Sequence, residues 1–318
     1  MYRNKKIALV IPAYNEEKLI GKTLQNIPET IDKIYVVDDC SPDKQNEIIA
    51  TCARHDNRIV LLKHDTNQGP GGAIITGYRE LSKDNYDIGV VVGGDFQMSY
   101  DDLPHFLDPL VDGTVDYTKG NRFLLSRFED TLDKMPRIRL IGNWVITALT
   151  KIASGYYKTM DVVDGYTAIT KRAIDIINWK NAWKRYGYPM DFLIRLNAYG
   201  FKIADIPRTA IYLPGERQSQ IKGLQYTATV SPMLIRNFFW RLKFKYLYLN
   251  FHPLVFFYYL SFILLPIGFF TSIYLVVDRL FLGGVGVTGP RAIFAALLII
   301  TGLMFLLFAM LFDMEESK

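Results

Sequence analysis

Short apolar runs alternate with longer amphipathic stretches over the first 92 residues of the chain, a pattern that predicts strands separated by helices. The apolar runs predict four strands, at 5–12, 33–39, 58–64 and 88–92. Between them, apolar residues recur at helical spacing, in 14–28, 46–54 and 65–81. The alternation predicts a doubly wound, mainly parallel α/β sheet with right-handed crossovers.

The pattern is less regular beyond this region, but it continues the same fold. Residues 116–123 predict a strand that enters a polar loop, and 137–154 predict an amphipathic helix with basic residues at its front. Residues 161–177 predict a turn, a short strand and a helix, and 188–207 predict a helix and a final strand. We assign residues 1–225 to this domain.

Two long apolar runs without charged residues follow, at 251–277 and 292–312. Since ~20 helical residues cross the hydrocarbon core at ~1.5 Å each, both runs are long enough to span a membrane. We predict a transmembrane hairpin over 251–318, with a kink at Pro266. Residues 226–250 interleave aromatic and basic side chains, which is typical of juxtamembrane helices that lie in the membrane interface.

The charge distribution orients this hairpin. The net charge of +5 is modest, but no acidic residue occurs between 217 and 277, and four basic residues precede the first span: Arg236, Arg241, Lys243 and Lys245. The positive-inside rule therefore places the domain of residues 1–225 on the cytoplasmic face of an integral membrane protein. Anionic membrane lipid is a better partner for this stretch than nucleic acid. Two cysteines, Cys40 and Cys52, lack metal-type spacing and indicate a reducing compartment.

Candidate metal chemistry lies at the end of the fourth strand. The apolar run stops at Gly93 and Gly94, and Asp95 and Gln97 then follow at the carboxyl end, where open α/β sheets bind ligands. A carboxylate and an amide oxygen two residues apart suit a Mg²⁺ or Mn²⁺ ion that keeps most of its ligands for water and substrate phosphates. On this stretch alone, an aspartate in a simple turn is an equal alternative.

The glycine-rich segment 67–72 lies between a strand and a helix. It lacks both the Lys-Ser/Thr pair of a P-loop and the G-x-G-x-x-G order of a dinucleotide site. Its position allows a nucleotide to approach the backbone closely. A tight helix N-terminus is an equally good interpretation.

Four segments, taken in order, resemble the motifs of the family 2 glycosyltransferases: VIPAYNEE (10–17), VVDDCSPD (36–43), NQGPGGA (67–73) and GGDFQM (93–98). The resemblance extends to about residue 225. It is closest to the dolichol-phosphate mannose synthase and polyprenyl-phosphate glycosyltransferase type. It implies a GT-A-like, Rossmann-like fold, a nucleotide sugar donor, and a polyprenyl or dolichyl phosphate acceptor.

The resemblance also assigns residues to the donor. It implies that Glu16 binds the ribose hydroxyls and that Arg217 and Ser219 lie in a loop that closes on the pyrophosphate. The implied nucleotide-binding residues are Pro12, Tyr14, Glu16, Asp38, Asp39, Gly69, Gly72 and Arg217. Asp95 and Gln97 match the metal motif, but Gly93 replaces the first aspartate of that motif, so the metal has one carboxylate fewer.

On the acceptor side, the resemblance implies that the lipid phosphate is bound by three arginines, Arg122, Arg137 and Arg139. Arginine suits this role because its planar fork matches phosphate oxygens and stays charged in a partly dry site. Asp191 matches an acidic residue near the acceptor, and Thr167 replaces an arginine of the family. The implied catalytic set is Asp95, Gln97, Arg122, Arg139 and Asp191.

The implied reaction is a single displacement with inversion. A lipid phosphate is already an anion at neutral pH, so no strong general base is required. The metal and the arginines would neutralise the leaving group and align the phosphate oxygen behind C1 of the sugar. Asp164 or Asp191 could serve as an orienting carboxylate.

Several functional alternatives stay open. A UDP-sugar such as UDP-glucose is the favoured donor, and GDP-mannose is the second. Gly93 and Thr167 also fit an impaired relative that serves as a membrane scaffold or nucleotide sensor. A processive polysaccharide synthase fits less well, because the Gln-x-x-Arg-Trp signature is absent. The sequence is compatible with a homo-oligomer and fixes neither the sugar nor the isoprenoid.

Overall fold

The computed structural model describes residues 1–124, 137–209, 211, 223–285 and 287–317, and at 137–141, 143 and 223–225 it describes the backbone alone. The chain forms two compact units, Met1–Phe238 and Phe239–Lys318. Each unit is considered by itself below. The predicted division of the chain at residues 225 and 250 stays a prediction.

A single sheet organises the first unit. Its strands, in chain order, are β1 (Ile7–Ala13), β2 (Lys33–Asp38), β3 (Ile59–Lys63), β4 (Ile88–Val91), β5 (Tyr117–Asn121), β6 (Thr167–Thr170) and β7 (Ile203–Pro207). Their spatial order is β3-β2-β1-β4-β6-β5-β7. Strand β6 runs antiparallel to both of its neighbours, and the other pairs are parallel. The predicted mainly parallel, GT-A-like sheet is therefore confirmed.

Helices pack on both faces of the sheet. In chain order, the helices up to Lys243 are α1 (Ile20–Leu24), α2 (Gln45–His55), α3 (Pro70–Lys83), α4 (Leu103–Val111), α5 (Arg137–Ser154), α6 (Lys171–Ile176), α7 (Tyr188–Ala198) and α8 (Gly223–Lys243), whose last turns belong to the second unit. Apolar residues of α1, α2 and α4 pack on one face, against alternate residues of β1 such as Leu9. Helix α3 packs on the other face, against Val10. Central strands buried on both faces explain the continuous apolar runs of the sequence.

The first helix is shorter than the predicted segment 14–28. It covers only Ile20–Leu24, because the backbone of Asn15 and of Asn26 adopts the left-handed conformation, with φ of 59° and 61°. Asparagine tolerates this conformation better than most residues, but a helix cannot continue through it. The residues that follow β1 therefore form an irregular loop at the end of the strand.

The second unit contains two long apolar helices, α9 (Leu254–Phe281) and α10 (Gly289–Glu315), preceded by a π-helical segment, Phe244–Leu249. Both helices are long and apolar enough to cross a membrane. They pack closely where small residues meet: a Cβ atom at Gly268 would lie 2.8 Å from Ile299, and one at Gly302 would lie 2.9 Å from Leu265. Such small-residue contacts let helix backbones approach in lipid.

Candidate active site

One edge of the sheet gathers the polar residues of the first unit. The carboxyl ends of β1, β2, β4, β5 and β7 lie there, and antiparallel β6 begins there. We call this the carboxyl edge. The residues that border it are Tyr14, Glu16, Asp38, Asp39, Asp95, Gln97, Arg122, Asp161, Asp164 and Arg208. Because ligands of open α/β sheets bind at this edge, it is the candidate active site.

Asp38, at the end of β2, is buried and fully hydrogen-bonded. Its Oδ1 accepts from Gln45 Nε2 (2.7 Å) and from the Ser41 amide (3.0 Å), and its Oδ2 accepts from Asn46 Nδ2 (2.8 Å). Gln45 also accepts from the Glu16 amide through Oε1, at 3.1 Å. Asp38 therefore holds the loop after β1 indirectly, through Gln45.

The other predicted nucleotide residues of this loop differ in exposure. Tyr14 is exposed, whereas Pro12 and Glu16 are half-buried. The loop therefore presents an aromatic ring and a carboxylate at the carboxyl edge, in the region where the donor was predicted to bind. Their role in binding a nucleoside stays a prediction.

Asp39 connects the end of β2 to the glycine-rich loop. Its two oxygens accept from the amides of Gln68 (2.8 Å) and Gly69 (2.7 Å). Oδ1 also lies 2.7 Å from Nδ1 of His64, whose Nε2 lies 2.9 Å from Thr76 Oγ1. His64 was not predicted, and its only signal in the sequence is its position directly after the third apolar run.

The glycines of the loop have a clear packing role. Gly69 has φ of 89°, and a Cβ atom there would lie 2.6 Å from the carbonyl oxygen of Lys184. The Gly72 amide donates to the same oxygen at 3.1 Å. The loop is therefore pressed against the backbone of residues 183–185, in agreement with the interpretation of a tight helix start. Whether Gly69 and Gly72 also contact a nucleotide stays a prediction.

The turn after β4 carries the predicted metal ligands Asp95 and Gln97. Its central residue, Phe96, has φ of 56°, an uncommon conformation for a bulky side chain. Asp95 Oδ1 accepts from the Gln97 amide at 3.3 Å. Burial raises the pKa of the Asp95 carboxyl, whereas the Gln97 N–H and the Arg208 charge act in the opposite direction.

The donor set of this turn fits a metal ion only in part. A Cβ atom at Gly93 would lie 3.0 Å from Asp95 Oδ1, so a carboxylate at position 93 would stand directly beside Asp95. Within the described residues, no group of three or more His, Cys, Asp or Glu side chains could hold a metal. Asp95 and Gln97 alone would leave a Mg²⁺ or Mn²⁺ ion to take its remaining ligands from water and phosphate, and their role as metal ligands stays a prediction.

Arg122 follows β5 and forms a two-pronged ion pair with Asp161. Nε lies 2.7 Å from Oδ2 and Nη2 lies 2.7 Å from Oδ1, and Nε lies 3.4 Å from Asp164. Burial alone would raise the pKa of Asp161, but the charge and hydrogen bonds of Arg122 outweigh it and hold this pKa below its usual value. The Arg122 side chain is 23% exposed, so part of it remains accessible at the carboxyl edge.

Arg208, directly after β7, was missed by the sequence analysis. Its Nε donates to Asp164 Oδ2 at 2.7 Å, and its Nη1 donates to the Gln97 carbonyl at 3.2 Å. A signal was present: like Arg122, it is an arginine that follows a strand. Without the sheet order, nothing connected it to the turn after β4.

Asp191, in α7, has no exposed surface. Its oxygens accept from the Trp183 amide (2.7 Å), Arg195 Nε (2.9 Å) and Asn237 Nδ2 (2.5 Å). These contacts fasten α7 to its neighbours, and the predicted catalytic role of Asp191 stays a prediction.

The remaining predicted residues receive less structural detail. Arg137 and Arg139 lie in the first turn of α5, where the described part of the chain includes the backbone but not these side chains. Arg217 and Ser219 lie outside the described residues. The predicted roles of Arg122, Arg137 and Arg139 at the acceptor phosphate, and of Arg217 and Ser219 at the pyrophosphate, stay predictions.

Comparison with known proteins identifies the family of the chain. Residues 8–177 match the family described as glycosyl transferase family 2. The chain is 30% identical over 222 residues to UDP-N-acetylglucosamine–dolichyl-phosphate N-acetylglucosaminyltransferase of Methanococcus voltae, covering 66% of this chain and 87% of that protein. It is 29% identical over 211 residues to undecaprenyl-phosphate mannosyltransferase of Micrococcus luteus, covering 65% and 84%.

A solved structure shows the same fold. Glucosyl-3-phosphoglycerate synthase from Mycobacterium tuberculosis, in complex with Mn²⁺, UDP and glucosyl-3-phosphoglycerate, matches with a TM-score of 0.52 at 16% identity, covering 75% of this chain and 80% of that one. The chain belongs to glycosyl transferase family 2, and it is a glycosyltransferase. The predicted resemblance to the polyprenyl-phosphate type is confirmed by the relatives.

Proposed function

We propose that this glycosyltransferase transfers a sugar from a nucleotide sugar to polyprenyl or dolichyl phosphate, giving a lipid-phosphate-linked monosaccharide. The observation that carries the proposal is the arrangement of the carboxyl edge. There, the Asp95 turn and Arg122 border one site in a chain that also has two helices of membrane-spanning length. The named activities of the Methanococcus and Micrococcus relatives support the same acceptor class.

A UDP-sugar is the favoured donor. The Methanococcus relative is named for a UDP-sugar, and the structural neighbour was solved with UDP. UDP-glucose is one candidate within this class. A mannose donor such as GDP-mannose is the second, since the Micrococcus relative is named as a mannosyltransferase.

A divalent ion is the proposed cofactor. Neighbouring structures were solved with Mn²⁺ or Mg²⁺. Asp95 and Gln97 are the residues that would hold the ion here. When bound, it would stabilise the negative charge that develops on the departing nucleotide diphosphate.

The arginine side of the edge suits an anionic acceptor. Arg122 presents a guanidinium that Asp161 fixes through two hydrogen bonds and that stays partly exposed. A fixed guanidinium can orient a phosphate oxygen towards the sugar without first reorganising. Because that phosphate is already ionised, the displacement needs no strong base, and a single displacement inverts the anomeric centre.

The second unit would hold this chemistry at the membrane. We propose that α9 and α10 span the bilayer as a hairpin and that the catalytic unit lies on the cytoplasmic face. The basic residues before α9 support this orientation, because positive charge is retained on the cytoplasmic side. A polyprenyl or dolichyl phosphate stays in the bilayer because of its long hydrocarbon chain, so an anchored enzyme meets its acceptor in the plane of the membrane.

The test is a reconstituted transfer assay. Purified protein in detergent would be incubated with Mn²⁺, a polyprenyl phosphate and a panel of UDP- and GDP-sugars, and products would be identified by mass spectrometry. We expect one donor to give a glycosylated lipid, Asp95→Asn and Arg122→Ala to abolish it, and NMR of the product to show an inverted anomer. The control is Asp112→Asn, an exposed carboxylate paired with Arg3 away from the carboxyl edge.

The negative outcome is equally informative. Binding of a nucleotide without any product, and without any effect of Asp95→Asn on that binding, would favour the scaffold or sensor alternative. Gly93 and Thr167 are the sequence features that support that alternative.

A further inference from the structure

The segment after β7 is tied by two hydrogen bonds to the turn after β4 and by a third to Asp102, just before α4. Arg208 Nη1 donates to the Gln97 carbonyl at 3.2 Å, and the Ile211 amide donates to the same oxygen at 3.1 Å. The Thr209 amide donates to Asp102 Oδ2 at 3.1 Å. We call Arg208, Thr209 and Ile211 the clasp. Two of its donors converge on one carbonyl, which fixes the orientation of the peptide at Gln97.

The turn needs such support because its backbone is strained. Phe96 lies between the two predicted metal ligands with φ of 56°. A bulky residue holds this conformation only where surrounding contacts impose it. The Gln97 carbonyl, one residue further on, is the group that the clasp holds, so loss of a clasp donor allows the turn to relax.

Arg208 is anchored at its other end by Asp164. The distance from Nε to Oδ2 is 2.7 Å, and both side chains are nearly inaccessible to solvent, at 4% and 0%. The same carboxylate accepts from the Tyr166 amide at 2.9 Å and lies 3.4 Å from Arg122 Nε. Asp164 therefore lies beside both Arg122, which is proposed to bind the acceptor phosphate, and Arg208, which holds the Asp95–Gln97 turn.

The path of Arg208 across β5 depends on a glycine. A Cβ atom at Gly120 would lie 2.7 Å from Asp164 Oδ1 and 2.8 Å from Arg208 Cδ. Gly120 is the next-to-last residue of β5, and its lack of a side chain makes room for the ion pair. The glycine at position 120 thus allows the Arg208 guanidinium to lie against Asp164.

We propose that Arg208 is a positioning residue, which holds the Asp95–Gln97 turn in the geometry that binds the donor diphosphate together with its divalent ion. This inference rests on the proposed function, since it assumes a nucleotide diphosphate donor. Arginine is required because its planar fork reaches a carboxylate with one nitrogen and a carbonyl with another, along fixed directions. Lysine keeps the charge but presents a single nitrogen.

The experiment measures Mn²⁺–UDP binding, and Mn²⁺–GDP as the second probe, by calorimetry on the full-length protein in detergent. The variants are Arg208→Met, which removes the charge at similar length, and Arg208→Lys. Loss of a charge-assisted hydrogen bond predicts binding about tenfold weaker for Arg208→Met. Arg208→Lys should fall between this variant and the wild type, because it keeps the charge and one donor.

A matched control separates positioning from stability. Arg58, at the start of β3, has the same kind of partners on the opposite edge: Nε lies 3.0 Å from Asp56 Oδ1, and Nη1 donates to the Pro28 carbonyl at 2.9 Å. Arg58→Met should lower the unfolding temperature but leave the Mn²⁺–UDP dissociation constant within about twofold of the wild type.

The outcomes are distinguishable. Wild-type affinity in folded Arg208→Met would overturn the inference and leave the proposed function intact. An equal loss of affinity in Arg58→Met would also overturn it, because the effect would then be one of stability. If Arg208→Met is unfolded at the assay temperature, folded Arg208→Lys decides, and unchanged affinity there overturns the inference. A wild type that binds neither nucleotide overturns the proposed donor and this inference together.

Discussion

A buried ion pair in the second unit allows a quantitative prediction. Arg241 and Asp313 lie 72 residues apart, and their side chains form two hydrogen bonds of 2.7 Å with no exposed surface. The hydroxyl of Tyr246 donates to Asp313 at 2.7 Å, and that of Tyr258 donates at 3.3 Å. The cluster joins the segment before α9 to the last turns of α10.

The perturbation is Asp313→Asn, which preserves the shape of the side chain and removes its charge. Arg241 would then keep its charge in a site without solvent and without a carboxylate. Breaking one side of a buried pair costs about 3–5 kcal/mol, and asparagine still accepts one hydrogen bond, so we expect about 3 kcal/mol. This corresponds to roughly a hundredfold rise in the population of the locally opened state.

Amide hydrogen exchange measured by mass spectrometry reports this population directly. Peptides from Phe244–Leu249 and from the end of α10 should exchange on the order of a hundredfold faster in Asp313→Asn than in the wild type. Peptides from β1, in the other compact unit, provide the internal control and should exchange at the wild-type rate.

A double-mutant cycle tests the reasoning itself. Removing both charges, in Arg241→Met with Asp313→Asn, should be less damaging than Asp313→Asn alone, because no buried charge is then left unpaired. If the effects of the two single substitutions simply add, Arg241 and Asp313 have no coupling energy, and an unpaired Arg241 charge does not explain the cost of Asp313→Asn.

Three further predictions concern stability. In Asp161→Asn, the partner of Arg122 is lost, and unfolding at pH 7 should become easier by about 2 kcal/mol, since the arginine is partly exposed. Because the pKa of Asp161 is lower in the folded state, its ionised carboxylate stabilises the wild type at neutral pH, and this stabilisation is lost as the pH falls below about 4. The free energies of unfolding of the wild type and of Asp161→Asn should therefore converge when both are titrated with acid. Burial, with the nearby Arg241 charge, lowers the pKa of Lys245 to about 8, which penalises the folded state below that pH. Lys245→Met should therefore raise the free energy of unfolding at pH 7 by about 2 kcal/mol, measured as a higher unfolding temperature, and this gain should shrink by pH 10. A gain that is the same at both pH values would contradict a lowered pKa for Lys245. Gly69→Ala combines positive φ with a backbone clash and should cost about 3 kcal/mol in thermal unfolding, against about 1 kcal/mol for Gly113→Ala, where φ is also positive but nothing lies within 4 Å.

Much of the fold was predictable because its signals are local. Strands β1, β2 and β4 are buried on both faces, so their apolar runs appear directly in the sequence. The short extent of α1 was not predictable, because the left-handed backbone at Asn15, before the helix, and at Asn26, after it, is set by the loops around these residues. The same limit applies to β6, whose antiparallel direction follows from pairing with strands distant in the sequence.

In the candidate site, too, local signals could be predicted from the sequence, whereas contacts between distant residues could not. Asp95 and Gln97 were predicted as metal ligands because they directly follow a strongly apolar strand and match a motif, and this role stays a prediction. Asp39 was assigned to the nucleotide, a role that stays a prediction, and its oxygens accept hydrogen bonds from the amides of Gln68 and Gly69. Arg208 was missed because it is 111 residues from the carbonyl it contacts, a relation that only the sheet order creates.

The strand order also implies an order of assembly. Strands β1 to β4 pair with one another within the first 91 residues, so the half of the sheet that carries Asp39 and Asp95 can form from early contacts. Strand β5 must wait for β6 before it joins them, and among the strands that the structure describes β7 pairs with β5 alone. Because β5, β6 and β7 are synthesised after β1 to β4, we expect the part of the sheet around Arg122 and Arg208 to be completed last, as the chain leaves the ribosome.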